Sequence, residues 1–360
     1  MSRILVINPG GTSTKVALFE DDTAVFSKTV IHPSEELKDF GRVMEQHAFR
    51  TKVVEEVLKE AGIAIESVDI VMARGGLAQP MEGGVYEVTD DLIADMRDCR
   101  YGEHASNLGA LIARDLAERA GVHAFIMDPV SVDEMDDVAR ITGLKEISRV
   151  SLLHALNSRA MARAVADELH KPYEALNMVT AHLGAGISII PHRKGKMIDC
   201  NNPMEMGPFC PDRAGGLPSK ELAKLCFSGK YEEQEFLKKM TREGGLNDHL
   251  GTKDLRVAEK MAADGDEYAD LVLSAMSYQI AKEIGAMATA LTGDVDAIVL
   301  TGGMAHSERM VKEITERVQY IAPVFVKAGE YEMEALAGGG QRVLTGTETS
   351  KPYERLNRPQ

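Results

Sequence analysis

No apolar run in this sequence approaches the roughly 20 residues that a bilayer-spanning helix requires. Basic residues are in the minority, with 41 Lys and Arg against 56 Asp and Glu, which leaves a formal net charge of −15. So acidic a chain is a poor partner for nucleic acid, whose phosphates demand basic surface. If the ligand is itself an anion, its site has to gather Arg, Lys or Mg²⁺ against that background. Cys99, Cys200, Cys210 and Cys226 form no C-x-x-C pair. A disulfide scaffold and a zinc site are therefore not expected, and a reducing cytoplasm is. No leader-peptide pattern precedes the first apolar run. There is no G-x-x-x-x-G-K-[ST] loop and no G-x-G-x-x-G, so neither a P-loop nor a dinucleotide site is indicated. No low-complexity linker interrupts the chain, yet 360 residues exceed one typical core and call for two domains.

What the sequence does contain is a recurrence. RILVINPGGTSTK (3–15), MVTAHLGAGISII (178–190) and DAIVLTGGMAHS (296–307) each join a short apolar run to a Gly turn rich in hydroxyl, amide or imidazole groups. A strand that delivers backbone N–H groups and small hydroxyls to a sheet edge can cradle phosphate oxygens. Strands are expected at 3–7, 15–20, 23–30, 68–72, 123–127 and 322–326. Helices are expected at 35–61, 103–120, 151–170 and 268–291, the last as a core helix. The stretch 199–219 has no periodicity and is long enough to be functional. The polar tail 348–360 is expected to fray. The repetition points to two similar α/β domains, 1–150 and 151–360, hinged near 148–152, with the last helix free to pack back on the first domain.

Each candidate residue has a plain structural reading beside a chemical one. Asn8 ends the first strand and can hold a metal-bound water or a substrate oxygen. Gly10, Gly11, Thr12, Ser13 and Lys15 can surround phosphate, or can form an ordinary hairpin turn. His182, beside Gly184 and Gly186, can steady a phosphoryl group or be a satisfied structural histidine. His154 falls on the apolar face of the 151–170 helix, where a core histidine is the plain reading. Arg213 on its irregular loop can clamp phosphate with two prongs, or lie in solvent. Arg74 ends a strand beside glycines and can reach a carboxylate. Asp128, held out of helix by Pro129, can organise Mg²⁺ or merely make a turn. Glu332 or Glu334 can complete an oxygen-only metal site with Asn8 and Asp128, or simply favour a helix start.

In this order the segments resemble the ASKHA superfamily of acetate and sugar kinases, chaperone ATPases and actin, and within it the acetokinase family. The resemblance spans nearly the whole chain. It rests on NPGGTSTK (8–15), ARGGLAQPMEGGVYEV (73–88), GEHASNLGALIA (102–113), DPVSVDEM (128–135) and LLHALNSRAMARAVA (152–166). It continues through AHLGAGISII (181–190), GPFCPDRAGGLP (207–218), VDAIVLTGGMA (295–305) and GEYEMEALAGG (329–339). It implies two duplicated actin-like, ribonuclease H-like α/β domains facing a nucleotide cleft, the first on the acyl side and the second on the nucleotide side.

The implied reaction is reversible, direct in-line transfer from Mg·ATP to butyrate, giving butanoyl phosphate. Isobutyrate, propionate and acetate are the alternative acceptors. An actin- or chaperone-like ATPase acting through a partner is the alternative of another class. The resemblance further implies that Asn8, Asp128 and a C-terminal Glu, preferably Glu332, organise Mg²⁺, and that Arg74 meets the acyl carboxylate. His182 and Arg213 brace the γ-phosphoryl with His154 nearby, and Gly302 and Gly303 lie against adenosine. It implies a homo-oligomer of at least two copies, no nucleic acid and no membrane. Three places depart from acetate kinases, one of them Ala185, where Gly or Asn is usual in its loop. Ala73-Arg74-Gly75-Gly76 stands in place of His-Arg-x-x-His-Gly-Gly, and only His154 survives from Gly-Phe-His-Gly-Thr-Ser-His.

Overall fold

A computed structural model describes residues 1–356. The chain divides into two compact units, Met1–Val132 with the segment from Tyr331 onward, and Asp133–Glu330. The division at 132/133 lies ahead of the expected 150/151, and the final helix belongs to the first unit.

In the first unit the apolar run Ile4–Ile7 has no exposed surface and forms the centre of β1 (Arg3–Pro9). Such unbroken burial is what a strand covered on both faces requires. β2 (Ser13–Glu20) and β3 (Thr23–Ile31) follow as an antiparallel meander. β4 (Ile70–Arg74) and β6 (His123–Met127) add in parallel on the other side of β1, and the short β5 (Val85–Glu87) closes the edge antiparallel. The sheet order is β3-β2-β1-β4-β6-β5.

The second unit repeats this plan. β7 (Asn177–Leu183), β8 (Ile187–Arg193) and β9 (Lys196–Met197) form the meander. β10 (Ala297–Gly302) and β11 (Val324–Ala328) run parallel to β7, in the order β11-β10-β7-β8-β9. Strand by strand, β3-β2-β1-β4-β6 and β9-β8-β7-β10-β11 have the same order and the same directions. The two units are thus topological duplicates, as the recurrent strand–Gly segments suggested.

Two of the long helices bury the apolar faces that helical spacing marks. In Asn107–Ala120, Leu108, Leu111, Ile112 and Leu116 are all buried. The helix starts at 107 instead of 103, after a turn in which the Asn107 side chain donates to Gly102 O at 2.9 Å and accepts from Leu77 N at 2.8 Å. Glu267–Ala290 is capped by Asp266 and buries Met276, Ile280 and Ile284 in the second core. The expected 35–61 helix is broken at Gly41 into the α-helix Ser34–Leu37 and a 3-10 turn, Val43–Gln46, that runs into the α-helix His47–Glu60; at the break Glu45 accepts the backbone N–H groups of Gly41 and Arg42. The stretch between β9 and the helix Ser219–Cys226 holds no helix or strand.

The tail is a correction. Lys351 bridges to Tyr86, and Tyr353 is 2% exposed with its hydroxyl donating to Asp95 at 2.9 Å. The buried ring, its hydroxyl, the backbone bonds of Lys351 to Val85 and Glu87 and the Arg355–Asp95 contact hold a segment whose composition reads as polar. Residues 357–360, the end of that stretch, lie outside the described residues.

The helix Glu332–Leu344 reaches β1 and β4 by way of small residues. A Cβ on Gly339 would sit 2.3 Å from Met127 Sδ, and one on Gly340 2.9 Å from Met72 Cγ. This approach brings the first turn of the helix, and Glu332 with it, to the carboxyl ends of the strands.

Candidate active site

In the first unit the parallel strands β1, β4 and β6 end on one edge, with Arg74 in register with Met127. Ligands of open α/β sheets bind at such edges. Asn8 Nδ2 donates to Glu332 Oε2 at 2.6 Å, and Arg74 Nη1 reaches the same oxygen at 3.1 Å. Of the two candidate acids, Glu332 therefore joins Asn8, whereas Glu334 is exposed. Asp128 follows β6 in a left-handed conformation, φ 39°, which costs a non-Gly residue about 1–2 kcal/mol. Gly84 holds it there, donating N–H to Asp128 Oδ1 at 2.8 Å and accepting Asp128 N–H at 3.2 Å. The β1–β2 hairpin closes through Gly10 N–H to Ser13 O at 2.8 Å. Gly11 and Thr12 are exposed at its tip, and Lys15 is half-buried at the start of β2. Neither Gly10 nor Gly11 has a positive φ. The segment is the hairpin turn of its plain reading, and a Cβ on Gly11 would meet nothing within 4 Å. Gly11 thus leaves open space over the backbone, whereas a Cβ on Gly10 would touch Ser13 Oγ at 3.4 Å.

In the second unit His182 ends β7 beside Thr301 of β10. Asn157 Nδ2 lies 3.0 Å from His182 Nδ1 and donates to Thr301 Oγ1 at 3.1 Å. An amide nitrogen only donates, so Nδ1 accepts and the neutral ring carries its proton on Nε2. His182 therefore presents an N–H. His154 stacks on it, with centroids 4.1 Å apart and planes 12° from parallel. His154 does not sit on the apolar face of the helix; it precedes Ala155–Glu168 as the N-cap, where its Nδ1 lies 2.8 Å from Ser188 Oγ.

Arg213 closes over the same loop. A Cβ on Gly186 would fall 2.3 Å from Arg213 Nη1 and 3.2 Å from His154 Cε1, so only glycine admits this packing. Arg213 Nη1 reaches Pro203 O at 3.5 Å, and its Nε is buried with no acceptor. A guanidinium with an unused buried donor suits an incoming oxyanion. Gly303, following Gly302 at the end of β10, lines a cavity of about 780 Å³ with Lys253, Asp254, Met304, His306 and Ser307. That volume accommodates a small organic ligand.

The structure thus gathers Asn8, Arg74 and Glu332 in one cluster, and His154, His182, Gly186 and Arg213 in another. Asn157, Thr301 and Ser188, which orient the two histidines, escaped the sequence reading. Asn157 lies one helical turn after His154, the only signal that pointed to it. Arg50, on the inner side of the β1–β2 loop, had none.

Residues 148–351 match the pattern that defines the Acetokinase family. The chain is 46% identical over 353 residues to Butyrate kinase 2 of Clostridium acetobutylicum, covering 98% of this chain and 99% of that protein. The chain belongs to the acetokinase family. Family membership makes it a phosphotransferase whose acceptor is a carboxyl group. Solved acetokinase folds agree in architecture. An acetate kinase of Porphyromonas gingivalis superposes with a TM-score of 0.79 at 19% identity, over 96% of this chain and 100% of that one. A propionate kinase of Francisella tularensis gives 0.72 at 17% identity, over 94% and 98%. At such identities these two speak to the fold alone.

Proposed function

We propose that this acetokinase-family chain transfers the γ-phosphoryl group of ATP to butyrate, reversibly, giving ADP and butanoyl phosphate. The observation that carries the reading is the 46% identity, over nearly the whole of both chains, to a protein named Butyrate kinase 2. The local geometry of each unit supports it. A carboxylate is already a nucleophile at neutral pH, since such acids ionise near about 4. No general base is needed, which fits Asp128 being engaged by Gly84 N–H. Catalysis is then positioning and charge neutralisation.

In this reading the Nε2–H of His182 and the spare donors of Arg213 meet the γ-phosphoryl oxygens, with His154 holding the imidazole by stacking. Gly184 and Gly186 keep backbone against the phosphates. Gly10, Gly11, Thr12, Ser13 and Lys15 receive polyphosphate in the first unit, and Arg74 receives the acyl carboxylate. Gly302 and Gly303 lie at the adenosine. Asn8 and Glu332, an oxygen donor set with no nitrogen or sulfur ligand, fit a hard divalent cation, with Asp128 orienting its waters. Magnesium, when bound there, would offset the charge of the polyphosphate. Arg213 and Lys15 add to that effect against a chain of net charge −15.

The test is hydroxylamine trapping of acyl phosphate with Mg·ATP and straight-chain or branched acids of two to six carbons. Butyrate is expected to give the highest kcat/KM. Failure to form a hydroxamate with any acid removes the reading, and a higher kcat/KM for isobutyrate, propionate or acetate reassigns the acceptor. Net retention of configuration at a chiral γ-phosphate would refute the in-line step. A homo-oligomer is proposed with this function, supported by Tyr268, Leu271 and Tyr278, which stand at least half exposed on one helix. Light scattering that returns a monomer refutes it. A cytoplasmic location is proposed too, supported by four free cysteines.

A further inference from the structure

Arg50 lies on the helix His47–Glu60, has no exposed surface, and belongs to no segment that marked the site. All five of its N–H donors are used. Nη1 donates to Gly10 O at 2.7 Å and Ser13 O at 3.0 Å. Nη2 donates to Gly11 O at 2.7 Å and Gln46 Oε1 at 2.8 Å, and Nε donates to Gln46 Oε1 at 3.0 Å. Thr14 Oγ1 lies 3.4 Å from Nη1 and 2.8 Å from His32 Nε2, and His32 N–H donates to Thr12 O at 2.8 Å. One guanidinium thus collects three carbonyls of a single loop.

In a trans planar peptide the C=O and the following N–H point in opposite directions. Turning the Gly10 and Gly11 carbonyls inward onto Arg50 turns the Gly11 and Thr12 amides outward, at the exposed tip of the loop. Among the described residues Arg50 has no carboxylate partner; every acceptor it meets is neutral. A buried charge without a counter-ion is costly, and an anion across the loop would relieve that cost. His32, the other titratable group against the loop, is held neutral by burial and by Arg50, its pKa lowered to about 4. It adds no second charge at neutral pH.

We propose that Arg50 is the positioning residue of the β1–β2 loop, presenting the Gly11 and Thr12 amides to the polyphosphate of ATP from behind the backbone. The inference rests on the reading of that loop as a phosphate site. A lysine, with three donors and no planar fork, cannot hold the three carbonyls and Gln46 together.

The experiment labels glycine and threonine amides with ¹⁵N and titrates Mg·ADP into the wild-type protein, Arg50→Met, Arg50→Lys and Gln46→Ala, with KM measured for ATP and for butyrate. In the wild type the Gly11 and Thr12 resonances are expected to shift. In Arg50→Met the shift is lost, and the KM for ATP rises about tenfold or more, the effect of losing charged hydrogen bonds. The KM for butyrate stays within about twofold, because the acid does not use this loop. Arg50→Lys is expected to recover only part of the loss. Gln46→Ala, which removes only the brace, shifts the KM for ATP in the same direction and carries the test if Arg50→Met does not fold. If the wild-type resonances do not move with Mg·ADP, the phosphate-loop assignment falls, and this inference with it. If they move and the variants leave both the shift and the KM for ATP unchanged, or raise both KM values together, the loop assignment stands and Arg50 is merely structural.

Discussion

Arg213 has a buried Nε with no acceptor, and Asp212 comes no nearer to it than 4.0 Å. A contact that strengthens as charge develops on the transferring group acts on kcat more than on binding. Arg213→Ala is therefore expected to lower kcat by about 10²–10³, with the KM for ATP changed far less. Steady-state kinetics decide this, and a large KM change with normal turnover would reassign Arg213 to ground-state binding.

Two other buried residues set the response to acid. His192 lies between Tyr173 Oη at 2.7 Å and Thr180 Oγ1 at 2.9 Å, and burial, with Arg159 beyond, lowers its pKa to about 3. His32 is lowered to about 4 by burial and Arg50. Both are neutral in the native state, whereas the unfolded chain takes up their protons near pH 6.5. Stability is thus complete above pH 6.5 and declines as pH falls toward 4 and 3. The urea midpoint is expected to drop between pH 7 and pH 4.5, and His32→Gln to flatten that drop. An unchanged slope in the variant would place the titration elsewhere. At this scale the placement of Asn8 and His182 at strand ends and of Arg213 on its loop was legible because a local segment surrounds each. Asn157 and Arg50 were not, since their roles depend on partners 25 and 40 residues away.

Among the elements, apolar runs and helical spacing located the central strands and the long helices. They failed where a few contacts outweigh local composition. The tail is held by Tyr353 against Asp95, a fully buried carboxylate that also accepts from Arg355 Nε at 2.7 Å. Tyr353→Phe leaves one oxygen of that carboxylate without its donor, and is expected to cost about 1–3 kcal/mol. Urea unfolding of the variant measures it, and a loss under half a kilocalorie would show that the packed ring, not the hydroxyl, secures the strap. The break in the expected 35–61 helix is similar: Glu45 offers its carboxylate to two backbone donors, and the chain caps itself where periodicity would have continued it.

For the whole molecule, the duplication of sheet order was foreshadowed by three strand–Gly segments, but the composition of the units was not. The second unit is one continuous stretch, 133–330, while the first is completed by the segment from Tyr331 onward. A chain ending at residue 330 therefore lacks Glu332 and the helix that covers β1 and β4. Hydrogen exchange on it should show protection lost at 3–9 and 70–74 and kept at 177–183. Protection kept in all three would show that the first unit folds without its last helix.

The sequence by itself determined the central strands, the repetition of the strand–Gly hairpin and most of the side chains that the structure gathers into the two clusters, because apolar runs and Gly turns are local and short. Only the tertiary structure decided which acid joins Asn8, which ring nitrogen of His182 carries the proton, and that Arg50 stands behind the loop. Those outcomes depend on hydrogen bonds between residues far apart in the chain, whose directions are fixed only once the strands and helices have packed.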